Sequence, residues 1–145
     1  MSEADGPEAE VRRVNEAFYA AVEAGDLDRL TELCCADRPL VCVHPGVAPI
    51  HGTGAVLRSW ALVMASTDYI QFFLTDVQVT LQGDVAVLTC AENMLTAGEE
   101  PALGGEDQPT GFRGGKAQAM NVFTKESTGW RMWIHQASPV GSDRI

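Results

Sequence analysis

The spacing of hydrophobic and polar positions changes several times along the chain, and each change marks an element. Val11, Val14, Phe18, Ala21 and Val22 recur at helical spacing and predict one apolar stripe on an N-terminal helix. Pro7 suits the first turn of that helix, Glu8 and Glu10 suit its positive end, and Gly25 is a C-terminal stop. Asp26 is placed to cap a second, short helix carrying Leu27, Leu30, Leu33 and Cys34. Pro39 to His44 reads as a short buried strand that Pro45 ends. A loop over 46–52 follows, with Thr53 as the expected cap of a third helix whose buried side is Val56, Leu57, Trp60, Val63 and Met64. From there the period drops to two. Tyr69 to Leu81 and Asp84 to Thr96 predict long strands joined through Gln82-Gly83. Lys116 to Pro139 predicts a second pair, folded back at Glu126-Ser127-Thr128-Gly129. Residues 97–115 are rich in Gly, Pro and acid, have no period, and are expected to form an exposed, mobile loop.

The order α-α-β-α-β-β-β-β predicts an α+β fold, a single domain over 1–145 with short tails at 1–6 and 140–145. Helices should pack on one face of a curved antiparallel sheet. On the last strand Trp130, Met132, Ile134 and Gln136 alternate with Arg131, Trp133, His135 and Ala137. A sheet with one wet face alternates cleanly, whereas here large apolar residues occur on both sides. Strict alternation therefore predicts helices on one face and a second copy of the chain on the other. It puts Trp133 and His135 at that interface and favours a homo-oligomer built from dimers.

Composition narrows the function classes. At 145 residues, with 46% apolar and 21% charged, the chain has enough material for a core without metals or disulfides. A net charge of -10 with scattered Lys and Arg argues against nucleic acid and against a basic membrane patch. No apolar run approaches the roughly 18 residues of a membrane span. The acidic start MSEADGPEAE does not look like a leader, so the expected location is cytoplasmic. Cys34, Cys35, Cys42 and Cys90 form no C-x-x-C pair and read as reduced, buried thiols.

Glu92 stands in an otherwise apolar strand, LTCAENM. Facing a dry cavity, its carboxyl pKa would rise and it could act as a general base, with Tyr69, Asn121 and Gln136 as candidate hydrogen-bond donors. The alternative is a structural carboxylate paired with Arg131 or Lys116. His44, His51 and His135 match no zinc spacing, and no phosphate loop or nucleophile elbow is present, so no metal or cofactor is expected.

VCVHPG (41–46), IHGTGAVLRSW (50–60), GDVAVLTCAEN (83–93) and MNVFTKESTGWRMWIHQASPV (120–140) resemble the SnoaL-like branch of the nuclear transport factor 2 superfamily. The resemblance implies a cone-shaped fold with three N-terminal helices on a curved sheet. It includes ketosteroid isomerases, polyketide cyclases, scytalone dehydratase, non-catalytic transport factors and the association (hub) domain of calcium/calmodulin-dependent protein kinase II. Carried over residue by residue, it places His44, Trp60, Glu92 and Asn121 at the pocket, where the candidate donors Tyr69 and Gln136 join them. Asn121 replaces the arginine with which hub domains hold carboxylates, and Gln136 stands where relatives often carry histidine. The leading reading is a non-catalytic, self-assembling hub-like domain, of dimers that could build a ring, with a cone for a small apolar or carboxylate ligand. The alternative is an isomerase, cyclase or dehydratase of a small apolar carbonyl compound with Glu92 as general base.

Overall fold

In the computed structural model, which describes residues 6–97 and 112–140, three helices accompany six strands. The helices are α1 (Pro7–Ala24), α2 (Leu27–Glu32) and α3 (Thr53–Ser66). The strands are β1 (Val41–Val43), β2 (Ile50–His51), β3 (Tyr69–Gln82), β4 (Val85–Ala97), β5 (Phe112–Glu126) and β6 (Gly129–Pro139). They form one curved sheet in the order β2-β1-β6-β5-β4-β3, with the helices on its inner face. The sheet stays open and does not close into a barrel. The α+β class expected from the sequence is the class found.

Helix α1 ends at Gly25, whose φ of 66° is left-handed and lets its N–H reach back to the carbonyls of Ala21 and Val22. The predicted stripe is buried, and Asn15 and Tyr19 are buried beside it. Asp26 caps α2 by accepting the Arg29 N–H at 3.0 Å. The chain then runs along β6, exchanging backbone bonds of 2.9 Å between Cys35 and Met132 and between Met132 and Leu33. Thr53 is the first residue of α3 and not its cap; Gly52, at φ 102°, precedes it. The Thr53 hydroxyl instead accepts the Leu40 N–H at 3.4 Å, tying α3 to the start of β1.

Several features depart from the pattern read along the chain, and three of them bear on the site. Strand β1 pairs in parallel with β6, Cys42 opposite His135, and the two-residue β2 folds back on β1. Strand β5 begins at Phe112, so the last four residues of the expected loop join the ladder, Gly114 opposite Leu95 and Gly115 opposite Met94. The edge of β4 supplies hydrogen-bond partners there, and composition alone cannot signal that. The remaining loop residues 98–111, the expected frayed start at 1–5 and the tail at 141–145 lie outside the described residues.

The third departure matters most. Val122 faces Ile134 while Phe123 faces Met132, so Trp133 is an extra residue in β6. Such a bulge advances the face alternation by one. Trp130 and Met132 point to the helices, and after the bulge so do His135 and Ala137; all four are buried. Ile134 and Gln136 share the opposite face. Trp133 donates its indole N–H to the Pro39 carbonyl at 3.1 Å, and the Arg38 guanidinium lies 5.1 Å from its ring centre. The chain's own segment before β1 packs on Trp133, so its place in the strand no longer argues for a partner subunit.

The core between the helices and the inner face is led by Val11, Phe18, Val22, Leu30, Leu88 and Phe123. All four cysteines are free and buried, and burial pushes the Cys34 and Cys42 thiols up to about 12. No helix among the described residues is long and apolar enough to cross a membrane.

Candidate active site

Five polar side chains meet inside the cone. Glu92 of β4, Asn121 of β5 and His135 of β6 face inward on adjacent strands, with Asn121 directly opposite both Leu88 and His135. From α1, Asn15 and Tyr19 reach down one helical turn apart. None of the five is more than 5% exposed. A buried polar group must be bonded, and these bond to each other. The Tyr19 hydroxyl donates to Glu92 Oε2 at 2.5 Å. The Asn121 amide donates to Asn15 Oδ1 at 2.8 Å and to the Tyr19 oxygen at 3.2 Å. His135 Nδ1 meets Asn121 Oδ1 at 2.7 Å, and its Nε2 stands 3.9 Å from Glu92 Oε2.

Burial governs the charge states. It raises the Glu92 carboxyl above its ordinary value, against a smaller opposing effect of the Tyr19 hydrogen bond. The Tyr19 phenol is pushed up by burial and then by the Glu92 charge, which keeps it a neutral donor. His135 is held down to about 3 by burial, helped by His44, and is therefore neutral.

Aromatic rings wall the cluster. Phe18, Trp60 and His44 stand around His135 at ring-centre distances of 5.6, 5.3 and 6.5 Å, and Phe72 lies 4.9 Å from Tyr19. His44 is half-buried, and burial lowers its pKa. The Ser59 hydroxyl donates to the Val56 carbonyl at 2.7 Å, so its oxygen accepts from His44 Nε2 at 2.9 Å. The space left between Phe18, Trp60, Met132 and His135 is only about 10 Å³, too small to take a ligand there unless those side chains move. A hollow of about 180 Å³ opens where the ends of α1 and α3 meet the start of β3, beside Val22, Met64 and Ile70.

A larger hollow, about 680 Å³, lies elsewhere, between α1, α2 and the β5–β6 turn. Arg29 pairs there with Glu32, and Arg131 donates to the carbonyls of Trp130 and Thr128. It holds no buried acid or base of the kind found in the cone. Near it, ligand-type atoms of Cys35, Asp37 and Glu126 lie within 4.8 Å of one another. Glu126 is spent there on the backbone N–H groups of Ala36 and Asp37, at 3.1 and 3.4 Å, so the group caps the segment after α2.

Of the residues singled out in the sequence, the structure brings His44, Trp60, Glu92 and Asn121 together in the cone. It places three others differently. Tyr69 is 41% exposed, shares the outer face of β3 with Phe73, and donates to Gln71 at 2.5 Å; Tyr19 supplies the phenol at Glu92 instead. Gln136 faces outward and bonds Ser138 at 2.6 Å. His135, assigned by alternation to the outer face, occupies the inward position the resemblance gave to residue 136, because the bulge at Trp133 shifts the phase. His51 is exposed on β2. Arg131 and Lys116 bond away from Glu92 or lie on the outer face, so the carboxylate has no cationic partner among the described residues. Asn15 and Tyr19 went unread, although each lies four residues along α1 from a buried neighbour, Val11 and Asn15 respectively.

The fold is that of the cone-shaped nuclear transport factor 2-like proteins, α helices laid in the curve of an open sheet. The SnoaL-like domain family matches residues 11–142, and the chain belongs to that family. A structure from Streptomyces avermitilis, described as a proposed dehydratase of the NTF2-like family, is 41% identical with a TM-score of 0.81, over 92% of this chain and 96% of that one. A proposed calcium/calmodulin-dependent protein kinase type II association domain from Thiobacillus denitrificans is 31% identical with a TM-score of 0.73, over 90% and 94%. A ketosteroid isomerase-like protein from Erwinia carotovora atroseptica shares the fold at 15% identity, with a TM-score of 0.73 over 94% and 98%. No curated protein matches the chain significantly.

Proposed function

We propose that the cone is an acid–base site that eliminates water from, or moves a double bond within, a small uncharged carbonyl compound. The observation that carries this is the meeting of Tyr19 and His135 at one buried oxygen of Glu92, at 2.5 and 3.9 Å, inside a wall of aromatic rings. A scaffold without chemistry gains nothing from such a group, since a buried carboxylate with no cation costs several kcal/mol, on the order of 3–5. Among the described residues no Lys or Arg faces inward, which favours an uncharged ligand over a carboxylate.

The chemistry is redox-neutral. Glu92 removes a hydrogen from the carbon beside the carbonyl, and that electron pair becomes the new double bond as the β carbon–oxygen bond breaks. Neutral Glu92 then returns the proton to the departing hydroxide, which leaves as water and restores the carboxylate. For an isomerisation the same proton returns to a carbon. Raising the Glu92 pKa makes it a better base for the first step. The 41% identity to a proposed dehydratase supports this reading. The test is turnover of a panel of cyclic β-hydroxy and β,γ-unsaturated ketones: Glu92→Gln is expected to lower it by about 10²–10⁴-fold with the fold intact. Equal turnover by both proteins would sink the proposal.

A second reading, compatible with the first, is self-association through the back of the sheet. It is motivated by Phe73 and Met120, 53% and 45% exposed on that face. The likeness to the Thiobacillus denitrificans structure points the same way.

A further inference from the structure

We infer that Glu92 Oε2 and His135 Nε2 form a pair of hydrogen-bond acceptors for a hydroxyl group of the ligand, and that Asn121 is the positioning residue that keeps His135 in the tautomer this needs. The inference rests on the acid–base reading above and narrows its substrate to a hydroxyl-bearing compound.

It follows from counting hydrogens. The Tyr19 and Glu92 oxygens are 2.5 Å apart, so one hydrogen lies between them. The base role needs Glu92 ionised, and an ionised carboxylate carries none, hence the hydrogen belongs to the phenol. With that hydrogen spent, the phenol oxygen can only accept, and Asn121 Nδ2 at 3.2 Å is its donor. The second amide hydrogen goes to Asn15 Oδ1 at 2.8 Å. Both donors of Asn121 are now used, and its side-chain oxygen is what remains to meet His135 Nδ1 at 2.7 Å. Two acceptors at that distance would repel, so Nδ1 carries the imidazole hydrogen and Nε2 carries a lone pair. Turning the Asn121 amide over would set its oxygen against the phenol oxygen and leave the Tyr19–Glu92 contact without a hydrogen.

The result is a buried acceptor without a donor. His135 is 5% exposed, and Nε2 has no partner among the described residues other than Glu92 Oε2, 3.9 Å away and itself an acceptor. A buried polar atom left open in this way marks the place of something absent. An oxygen about 2.8 Å from each atom fits over that gap. A hydroxyl can give its hydrogen to either atom. A ketone oxygen would meet two lone pairs and bring nothing to share. The pair thus selects an alcohol over a ketone at this point, and it sets that hydroxyl beside Glu92, the group that must return a proton to it when the carbon–oxygen bond breaks.

The test reads the tautomer directly. In protein carrying 15N-labelled histidine, long-range proton–nitrogen correlation at pH 7 is expected to show His135 with hydrogen on Nδ1 and a bare Nε2. Asn121→Leu should move that hydrogen to Nε2, where Glu92 accepts it; Asn121→Asp, which keeps an oxygen facing Nδ1, should leave it in place. Cyclohexanol should shift the Nε2 resonance and saturate at a concentration at least about ten-fold below cyclohexanone. Asn121→Leu should lose that preference. A wild-type Nε2–H tautomer overturns the inference, as does an unchanged tautomer in Asn121→Leu. So do equal responses to the two probes, including none to either. Turnover is not needed for any of these readouts. Loss of activity in Glu92→Gln alongside an Nε2–H tautomer would remove this inference and leave the acid–base reading standing.

Discussion

At the scale of single residues, His135 ties the site to the stability of the fold. Burial, then the neighbouring His44, holds its pKa down to about 3, whereas unfolding returns it to the ordinary value of 6.5. Between those values the unfolded chain binds the extra proton and the folded chain does not, so stability rises with pH across that window. It is lost as pH falls from about 6.5 towards 3. His44, also lowered by burial, acts with the same sign. Glu92 is raised and acts oppositely, penalising the folded state as pH climbs above its ordinary value of 4.5. At about 1.4 kcal/mol per unit, the drop from 6.5 to about 3 in His135 corresponds to at most ~5 kcal/mol, and His44 adds to it in the same direction. The urea midpoint is expected to fall on acidification from pH 7 to 4, and His135→Gln should flatten that slope. An identical slope in the variant would show that the acid sensitivity arises elsewhere. Glu92 and Asn121 were legible in the sequence because a polar residue inside an apolar strand stands out. Tyr19 was hidden because an amphipathic side chain on a helix beside an apolar stripe looks like more core.

At the scale of elements, the β5–β6 hairpin shows what local pattern can and cannot tell. Its turn was readable from Gly129, and the observed register sets Glu126 opposite Gly129, with Ser127 and Thr128 as the two connecting residues. Its bulge was not readable. Nothing in TGWRMWIHQ distinguishes an extra residue at Trp133 from continuous alternation, yet that one residue exchanges the faces of His135 and Gln136. The pocket residues beyond the bulge were therefore misread, while Glu92 and Asn121, on β4 and β5, which pair with each other without a shift, were placed inward correctly. The turn is also pinned from outside the sheet. Gly129 has φ 127°, and a Cβ there would sit 2.8 Å from Glu10 Oε2, the atom that accepts the Trp130 N–H at 3.1 Å. Gly129→Ala is expected to strain the backbone and displace Glu10 together, lowering unfolding free energy by about 2 kcal/mol. Glu10→Ala should cost about 1 kcal/mol by losing the hydrogen bond alone. Equal losses in chemical denaturation of the two variants would mean that the backbone at Gly129 carries no strain of its own.

At the scale of the whole molecule, the sheet has a face that its own helices do not cover. The registers line up Val87 of β4, Val122 of β5, Ile134 of β6 and Val41 of β1 as direct cross-strand neighbours on that side. All four are half-buried, sheltered chiefly by one another. Met120, two residues along β5 from Val122, extends the patch and is 45% exposed, and Phe73 lies further out on the same face, opposite Asn93 and 53% exposed. A β-branched row crossing four strands is the pattern of a sheet face meant to pack on another surface, with sheets stacked about 10 Å apart. A second copy is self-complementary to such a face through a two-fold axis. Val122 lies at the middle of the row, and its side chain touches neither the cone nor the Glu92 network, because alternate residues of β5 serve opposite faces. Val122→Lys is therefore expected to halve the mass read by light scattering at micromolar concentration while leaving the His135 tautomer as in the wild type. If the unaltered chain already scatters as a monomer there, the back of the sheet is not an interface between copies. The acid–base reading of the cone is unaffected by that result, since every group in its hydrogen-bond network comes from one chain.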